Sequence, residues 1–315
     1  LLPGMDAAAR RIVKAVETNE SVILYGDYDV DGITSLALLT ILLRAYGLQP
    51  GTFLPRRMEE GYGLSLEGLE RCFDELGKPA LVVALDCGTC SVAEVAWLGA
   101  KGVDCVIVDH HEAGAALPKC VALVNPKLSG GHGEFCTAGL VFKLLHALLK
   151  LRRIPDFDLR EQLDLVAMGT VADLVPLRGE NRILVKKGLE KIASTRRIGL
   201  RALKAAAGLD GHIEAQHIGF RLGPRLNASG RLAHAQASLD LLLSDDPGEA
   251  EACAALLNDL NRERQEVEGR AHLEARAEIL PNPSLAQAAC IVLGSRSWHP
   301  GVVGIVASRL MRDFH

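Results

Sequence analysis

Short apolar runs alternate with longer stretches of helical period through the first half of the chain. Val22–Tyr25, Leu81–Leu85, Val106–Val108 and Val121–Val124 are brief, apolar and bounded by polar residues. That is the pattern of strands buried on both faces. Ile33–Tyr46, Leu64–Glu75, Val92–Lys101 and Thr137–Leu149 have helical length and spacing. The βαβ rhythm over residues 1–150 predicts an α/β fold with a parallel sheet covered on both faces. Residues 158–208 read as mostly helical, and 209–234 as irregular and rich in Gly and Arg. Residues 236–279 read as one long helix, with Pro247-Gly248 as its only strong break. Ala250–Ile279 carries Glu/Arg pairs at helical spacings. A long polar helix more often bridges two domains than fills a core. Pro281-Asn282-Pro283 ends it. Ala288–Leu293 then predicts a strand and Val302–Arg312 a helix. The expected layout is a large domain with a helical insert over 1–235, a connecting helix over 236–280, and the start of a truncated second α/β domain over 281–315.

Composition narrows the class. At 49% hydrophobic residues the chain can bury a core, which excludes disorder. No apolar run reaches the roughly 18 residues of a membrane span. The longest, Ile33–Leu43, is interrupted by Thr34, Ser35 and Thr40 and reads as a buried helix. Eight scattered cysteines fit a reducing cytoplasm. Cys87 and Cys90 have redox-motif spacing, but they follow Asp86 directly, and a carboxylate turn accounts for them better. No second cysteine pair offers a zinc site. The net charge of −4 is no general nucleic-acid signature. Basic residues do gather between Arg178 and Lys204. Both a phosphate groove and a solvated helix face stay open for that run.

The chemistry lies where apolar runs end. Asp109-His110-His111 leaves Val106–Val108, at the carboxyl edge where open α/β sheets bind ligands. Asp27, Asp29 and Asp31 follow Val22–Leu24, ahead of Gly32, which permits a sharp turn into a helix. Asp86 follows Leu81–Leu85, and Asp173 follows the apolar run Gly169–Ala172. Oxygen ligands with an imidazole suit Mn²⁺ or Mg²⁺. Asp86 is placed to bridge two ions, the arrangement used in phosphoryl displacement. Adjacent residues on an extended segment point to opposite sides. His110 is therefore assigned to metal, and His111 to the substrate phosphate or leaving oxygen. Asp109 is a ligand or fixes a histidine tautomer. The remaining histidines, His132 among them, have no carboxylate cluster nearby in sequence.

These blocks together resemble the DHH phosphoesterase superfamily. Further blocks narrow the likeness to the RecJ family of 5′→3′ single-strand-specific DNA exonucleases. They are Tyr25–Gly32, Glu60–Leu64, Val171–Leu177, Gly223–Leu232 and Trp298–Leu310. The resemblance implies a two-metal core that prefers Mn²⁺ and also uses Mg²⁺. Asp29, Asp31, Asp86, His110 and Asp173 match its ligand positions, with Asp27 a weaker candidate. Asp86, Asp109 and His111 become the catalytic candidates. Tyr25 stands where other branches carry a ligating histidine. For DNA phosphate the candidates are Arg225, Asn227 and Arg231 in a Gly-rich loop, Arg57, His111, Trp298 and His299, with Gly301–Gly304 as a turn offering backbone N–H groups. Arg56 is a weaker one, and Tyr62 and Trp298 are candidates to stack on bases. The implied activity is hydrolysis of single-stranded DNA to mononucleotides in DNA repair and recombination, in the cytoplasm. The implied partners are single-stranded DNA, single-strand-binding protein and recombination or repair helicases, with the chain a monomer off the membrane. Two alternatives share the site: a phosphodiesterase for short oligoribonucleotides or cyclic dinucleotides, and a non-catalytic DNA-binding replication scaffold.

Overall fold

The computed structural model describes residues 2–129 and 134–314; His132 lies outside them. Five strands, β1 (Val22–Gly26), β2 (Gly51–Phe53), β3 (Leu81–Leu85), β4 (Asp104–Val108) and β5 (Ala122–Val124), form one parallel sheet in the order β2-β1-β3-β4-β5. The first five helices are α1 (Met5–Glu17), α2 (Val30–Ala45), α3 (Leu66–Leu76), α4 (Val92–Ala100) and α5 (Thr137–Leu151). Side-chain alternation divides the sheet's two faces. Leu24, Val83, Leu85, Val106 and Val108 join the core under α1, α2 and α5. Ile23, Tyr25, Val82, Ala84 and Ile107 join a second core under α3 and α4. The four strands read from the sequence are all present. The edge strand β2 was not foreseen, because three residues that include Gly51 and Thr52 carry no period.

A helical unit follows. It comprises α6 (Leu163–Ala172), α7 (Gly179–Ala193), α8 (Ile198–Ala206), a short α9 (Ala215–His217), a π-turn (Ile218–Leu222), α10 (Gly223–Leu232), α11 (Gln236–Leu243) and the 33-residue α12 (Pro247–Ile279). A short α13 (Pro283–Ala286) and α14 (Pro300–Phe314) complete it. Its core includes Met168, Leu200, Leu222, Leu226 and Leu257.

Three expectations need correction. Most of 215–232 is helical, not irregular. Along this unbroken helical run the regular pattern gives way to a π-turn just ahead of Pro224, which has no N–H to donate. Gly230 there serves close approach, since a Cβ would lie 2.8 Å from the Tyr28 carbonyl oxygen. The strand expected over Ala288–Leu293 does not form. Asp173 follows the end of helix α6, where Gly169–Ala172 is the last turn, so it does not leave a strand. No helix among the described residues is long and apolar enough to cross a membrane.

Helix contact through glycine makes the fold testable. At Gly188 of α7, a Cβ would lie 2.3 Å from the Leu163 carbonyl oxygen, whereas nothing lies within 4 Å at Gly269 of α12. We expect Gly188→Ala to destabilise by about 1–3 kcal/mol through overpacking. Gly269→Ala should stabilise by about 0.5–1 kcal/mol through helix propensity. Denaturant unfolding of the two variants checks the opposite signs.

Candidate metal centre

Strand register creates the site. Gly26 pairs with Leu85, and Leu85 with Val108. The residues that follow, Asp27, Asp86 and Asp109, therefore leave the sheet side by side. Asp29 caps α2, its Oδ1 accepting from the Gly32 amide at 3.0 Å. Gly32 lies inside α2, so the expected turn is not what it provides. A Cβ there would lie 2.4 Å from the Asp27 carbonyl oxygen, so its role is steric. Asp31 sits in the first turn of α2, fully buried against the N-terminus of α5. Its Oδ2 accepts from the Thr137 amide at 2.6 Å and its Oδ1 from the Ala138 amide at 2.8 Å. The helix dipole there favours a carboxylate. Thr137 Oγ1 also donates to Asp86 Oδ1 at 2.8 Å. Asp86 holds a left-handed backbone (φ 65°), a strained conformation of the kind that persists at functional sites.

Around these carboxylates His110 Nε2 approaches Asp86 Oδ1 at 3.3 Å, Asp173 Oδ2 at 3.6 Å and Asp31 Oδ2 at 3.8 Å. Among the described residues, candidate ligand atoms fall into three overlapping groups: Asp27, Asp29 and Asp86; Asp31, His110 and Asp173; and Asp86, His110 and His111. Burial, then neighbouring carboxylates, pushes Asp27, Asp31, Asp86 and Asp173 upward, the last to about 7. Burial pushes His110 down to about 4, so its ring is neutral and its Nε2 can serve as a ligand. Both Asp27 Oδ1 and His110 Nε2 are buried without a hydrogen-bond partner. Unpartnered buried polar atoms are costly, and a divalent cation in each of their ligand groups would satisfy them. The donor set is carboxylate-rich with one imidazole, which fits Mn²⁺ or Mg²⁺ better than zinc.

Asp109 organises the turn and belongs to none of the three groups. Its Oδ1 accepts from the amides of His110 (2.7 Å) and His111 (3.2 Å) and from His111 Nδ1 (2.7 Å), and its Oδ2 from the Thr89 amide (3.0 Å). Burial alone would raise its pKa; the bonds from His111 and Thr89 outweigh that and hold it below the carboxylate range. His111 is raised in return: burial opposes its charge, but the Asp109 hydrogen bond prevails. Asn125 donates to Thr89 Oγ1 at 3.0 Å and to the His111 carbonyl at 2.8 Å. The Tyr62 hydroxyl donates to the Asp86 carbonyl at 2.9 Å and lies 2.9–3.0 Å from the His111 ring nitrogens. Sequence reading missed Thr89, Asn125 and Thr137. The strand-end rule would have found Asn125, because Val124 pairs with Val108.

The DNA candidates are placed unevenly. Arg57 lies over the Tyr28 ring at 5.2 Å. Arg231 Nη1 donates to the Gly301 carbonyl at 3.0 Å. Arg225 sits on helix α10, not on a loop, and donates to Asn258 on α12 and to the Arg221 carbonyl. Asn227 Oδ1 accepts from the Val30 amide at 3.1 Å, which fixes the start of α2. Trp298 Nε1 donates to Glu274 at 2.8 Å, and His299 Nδ1 accepts from the Gly301 amide at 3.0 Å. Gly301–Gly304 is the first turn of α14, not a free turn. Arg56 is paired with Glu59. In the basic run, Lys187, Lys191 and Arg197 pair with Glu190, Glu161 and Asp164, leaving Arg178, Arg182 and Lys186 exposed on or beside α7.

Comparison with known proteins agrees with this geometry. The DHH family N-terminal domain matches residues 21–170. The chain is 41% identical to the single-stranded-DNA-specific exonuclease RecJ of Bacillus subtilis (strain 168), covering all of this chain and 39% of that protein. It is 40% identical to the Thermus thermophilus exonuclease of the same name, over 98% of this chain and 45% of that one. A crystal structure of exonuclease RecJ bound to manganese superposes with a TM-score of 0.88 at 38% identity, covering 100% of this chain and 78% of that one. The chain thus spans about two fifths of the Bacillus subtilis relative.

Charge repulsion fixes a pH response. Unfolded aspartates ionise near pH 3.9. The raised carboxylates ionise later in the folded chain, so stability is lost as pH climbs from about 4 through their folded values, about 7 for Asp173. We expect the melting temperature of EDTA-treated protein to fall between pH 5.5 and 8.5, and Mn²⁺ to raise it more at pH 8.5. A metal-free Tm that rises with pH, or no gain from Mn²⁺, would contradict the reading.

Proposed function

The chain belongs to the DHH family, in its RecJ branch, and on that footing we propose that it is a metal-dependent exonuclease. It hydrolyses single-stranded DNA from the 5′ end to mononucleotides, in DNA repair and recombination. The observation that carries this is the junction at Asp86 and His110, where two ligand groups share neighbours 3.3 Å apart. Asp27, Asp29 and Asp86 would hold one ion; Asp31, His110 and Asp173 would hold the second, as Mn²⁺ or Mg²⁺. Bound there, the ions would polarise the phosphate and make water a nucleophile at neutral pH.

The protein's own groups do the rest. Asp109 holds the His111 ring through Nδ1, and His111 is half exposed. Its Nε2, 3.0 Å from the Tyr62 hydroxyl, would turn its proton to the phosphate or the departing 3′ oxygen when the strand binds. Burial, with Asp86 and Asp27 close by, pushes the Tyr62 phenol far up, so Tyr62 stays a neutral donor to the Asp86 carbonyl. Arg57 and Arg231, close to the Asp29 side of the cluster, are the best placed to meet backbone phosphates. Arg225, Asn227, Trp298 and His299 act chiefly by holding α10, α12 and α14 around that path. In this reading residues 1–235 carry the chemistry, 236–280 connect, and 281–315 contribute to DNA binding. Single-strand-binding protein and repair helicases are the expected protein partners, with the chain a monomer in the cytoplasm.

With Mn²⁺, a 5′-phosphorylated single strand labelled at its 3′ end should shorten stepwise, while duplex and RNA controls separate the alternatives. Asp86→Ala and His111→Ala should cut the rate by about 10²–10⁴ and leave DNA binding within about twofold. An intact chain that binds but never cleaves supports the scaffold alternative; equal loss of binding and cleavage in both variants overturns the catalytic assignment.

A further inference from the structure

Helix α6 ends on a metal-ligand candidate and then does something sterically expensive. Asp173 is its C-cap, with its amide donating to the Gly169 carbonyl. The next residue, Leu174, takes the left-handed conformation (φ 61°) and donates to the Val171 carbonyl. That post-helical position is usually glycine or asparagine, because a Cβ is penalised there. Leu174 bears the penalty and is then left 85% exposed, so packing does not repay it. A helix stop alone is better served by glycine. The side chain therefore has work outside the fold.

Its neighbours say what kind. A row of contacts crosses the site: Tyr62 lies against His111 (ring centroids 5.3 Å), His111 against His110 (4.5 Å), and His110 Nε2 lies 3.6 Å from Asp173. Tyr62, half exposed, continues the row on one side to Tyr28 (ring centroids 6.5 Å), and exposed Leu174 follows Asp173 in the chain on the other. Exposed Arg178 then precedes α7, with exposed Arg182 and Lys186 on that helix. Apolar faces beside the reacting centre, with cations just beyond, match a polymer of flat apolar bases on an anionic backbone.

Resting on the exonuclease reading above, we infer that Leu174 is a positioning residue. It packs against the nucleobase beside the phosphate being cut and so sets the register of the strand. The occupant is an unstacked base, which a single strand supplies and a duplex withholds.

The test compares Leu174→Gly and Leu174→Ala in the full chain with Mn²⁺. The substrates are a 5′-phosphorylated single strand and the same strand with abasic residues at its 5′ end. We expect KM for the ordinary strand to rise about fivefold, KM for the abasic strand to change less than twofold, and Tm to hold or rise for Leu174→Gly. Equal KM changes on both substrates, or a Tm that falls by several degrees in both variants, would overturn the role. Anisotropy binding of both strands in EDTA keeps the readings apart. Wild-type protein that binds without cleaving sinks the exonuclease reading, and the ratio of Kd values between strands then judges Leu174.

Discussion

Repulsion among buried carboxylates is the constraint around which this molecule is arranged. Strands β1, β3 and β4 end in register, so Asp27, Asp86 and Asp109 leave the sheet together. Asp31 and Asp173 are brought to the same place by helices. Without compensation such a cluster would protonate or open. The N-terminus of α5 compensates part of it through the Thr137 and Ala138 amides on Asp31 and the Thr137 hydroxyl on Asp86. The left-handed backbone at Asp86 is tolerated because the sheet holds it, with its amide bonded to the Val108 carbonyl. Gly169 lets α6 approach until a Cβ would sit 2.8 Å from Asp31 Oδ1. What remains uncompensated is the charge that a divalent cation would supply.

The helical unit keeps this geometry from relaxing. Asn227 on α10 caps the entry to α2, and Gly230 lets α10 press on the Tyr28 backbone. Helix α10 packs in turn on α12, and Arg231 reaches α14 through the Gly301 carbonyl. On α12 the fully buried Glu268 meets Arg264 of its own helix and, at 2.7 Å, Arg309 of α14. Breaking one partner of a buried pair leaves an unpaired charge. Helix α14 is thus tied to the segment that carries Asp27, Asp29 and Asp31 into α2.

Much of this was legible in the sequence, for physical reasons. Strands buried on both faces are continuous apolar runs, and carboxylates at their ends stand out against them. His110 and His111 were given separate roles because neighbours on extended backbone are expected to point apart; their rings instead lie 4.5 Å apart, and both join Asp86 in one candidate ligand group. Three kinds of feature stayed hidden. Neutral buried groups such as Thr89, Asn125 and Thr137 carry no charge signal, although they set the positions of Asp109 and Asp86. Glycines that serve helix contact, Gly230 above all, look like loop residues until their neighbours are known. Edge strand β2 is too short to show a period, and the terminal strand expected at Ala288–Leu293 had an apolar pattern but finds no strand partner.

Calorimetric titration of metal-stripped protein with Mn²⁺ counts the ions that the carboxylate cluster takes up. Two ions per chain are expected, with protons released on binding near pH 7 because raised carboxylates must ionise to take up metal. Asp86→Asn should weaken both sites together, since Asp86 lies 3.3 Å from His110 of the second group. Binding of a single ion, or two ions whose affinities ignore Asp86→Asn, would contradict a two-metal centre.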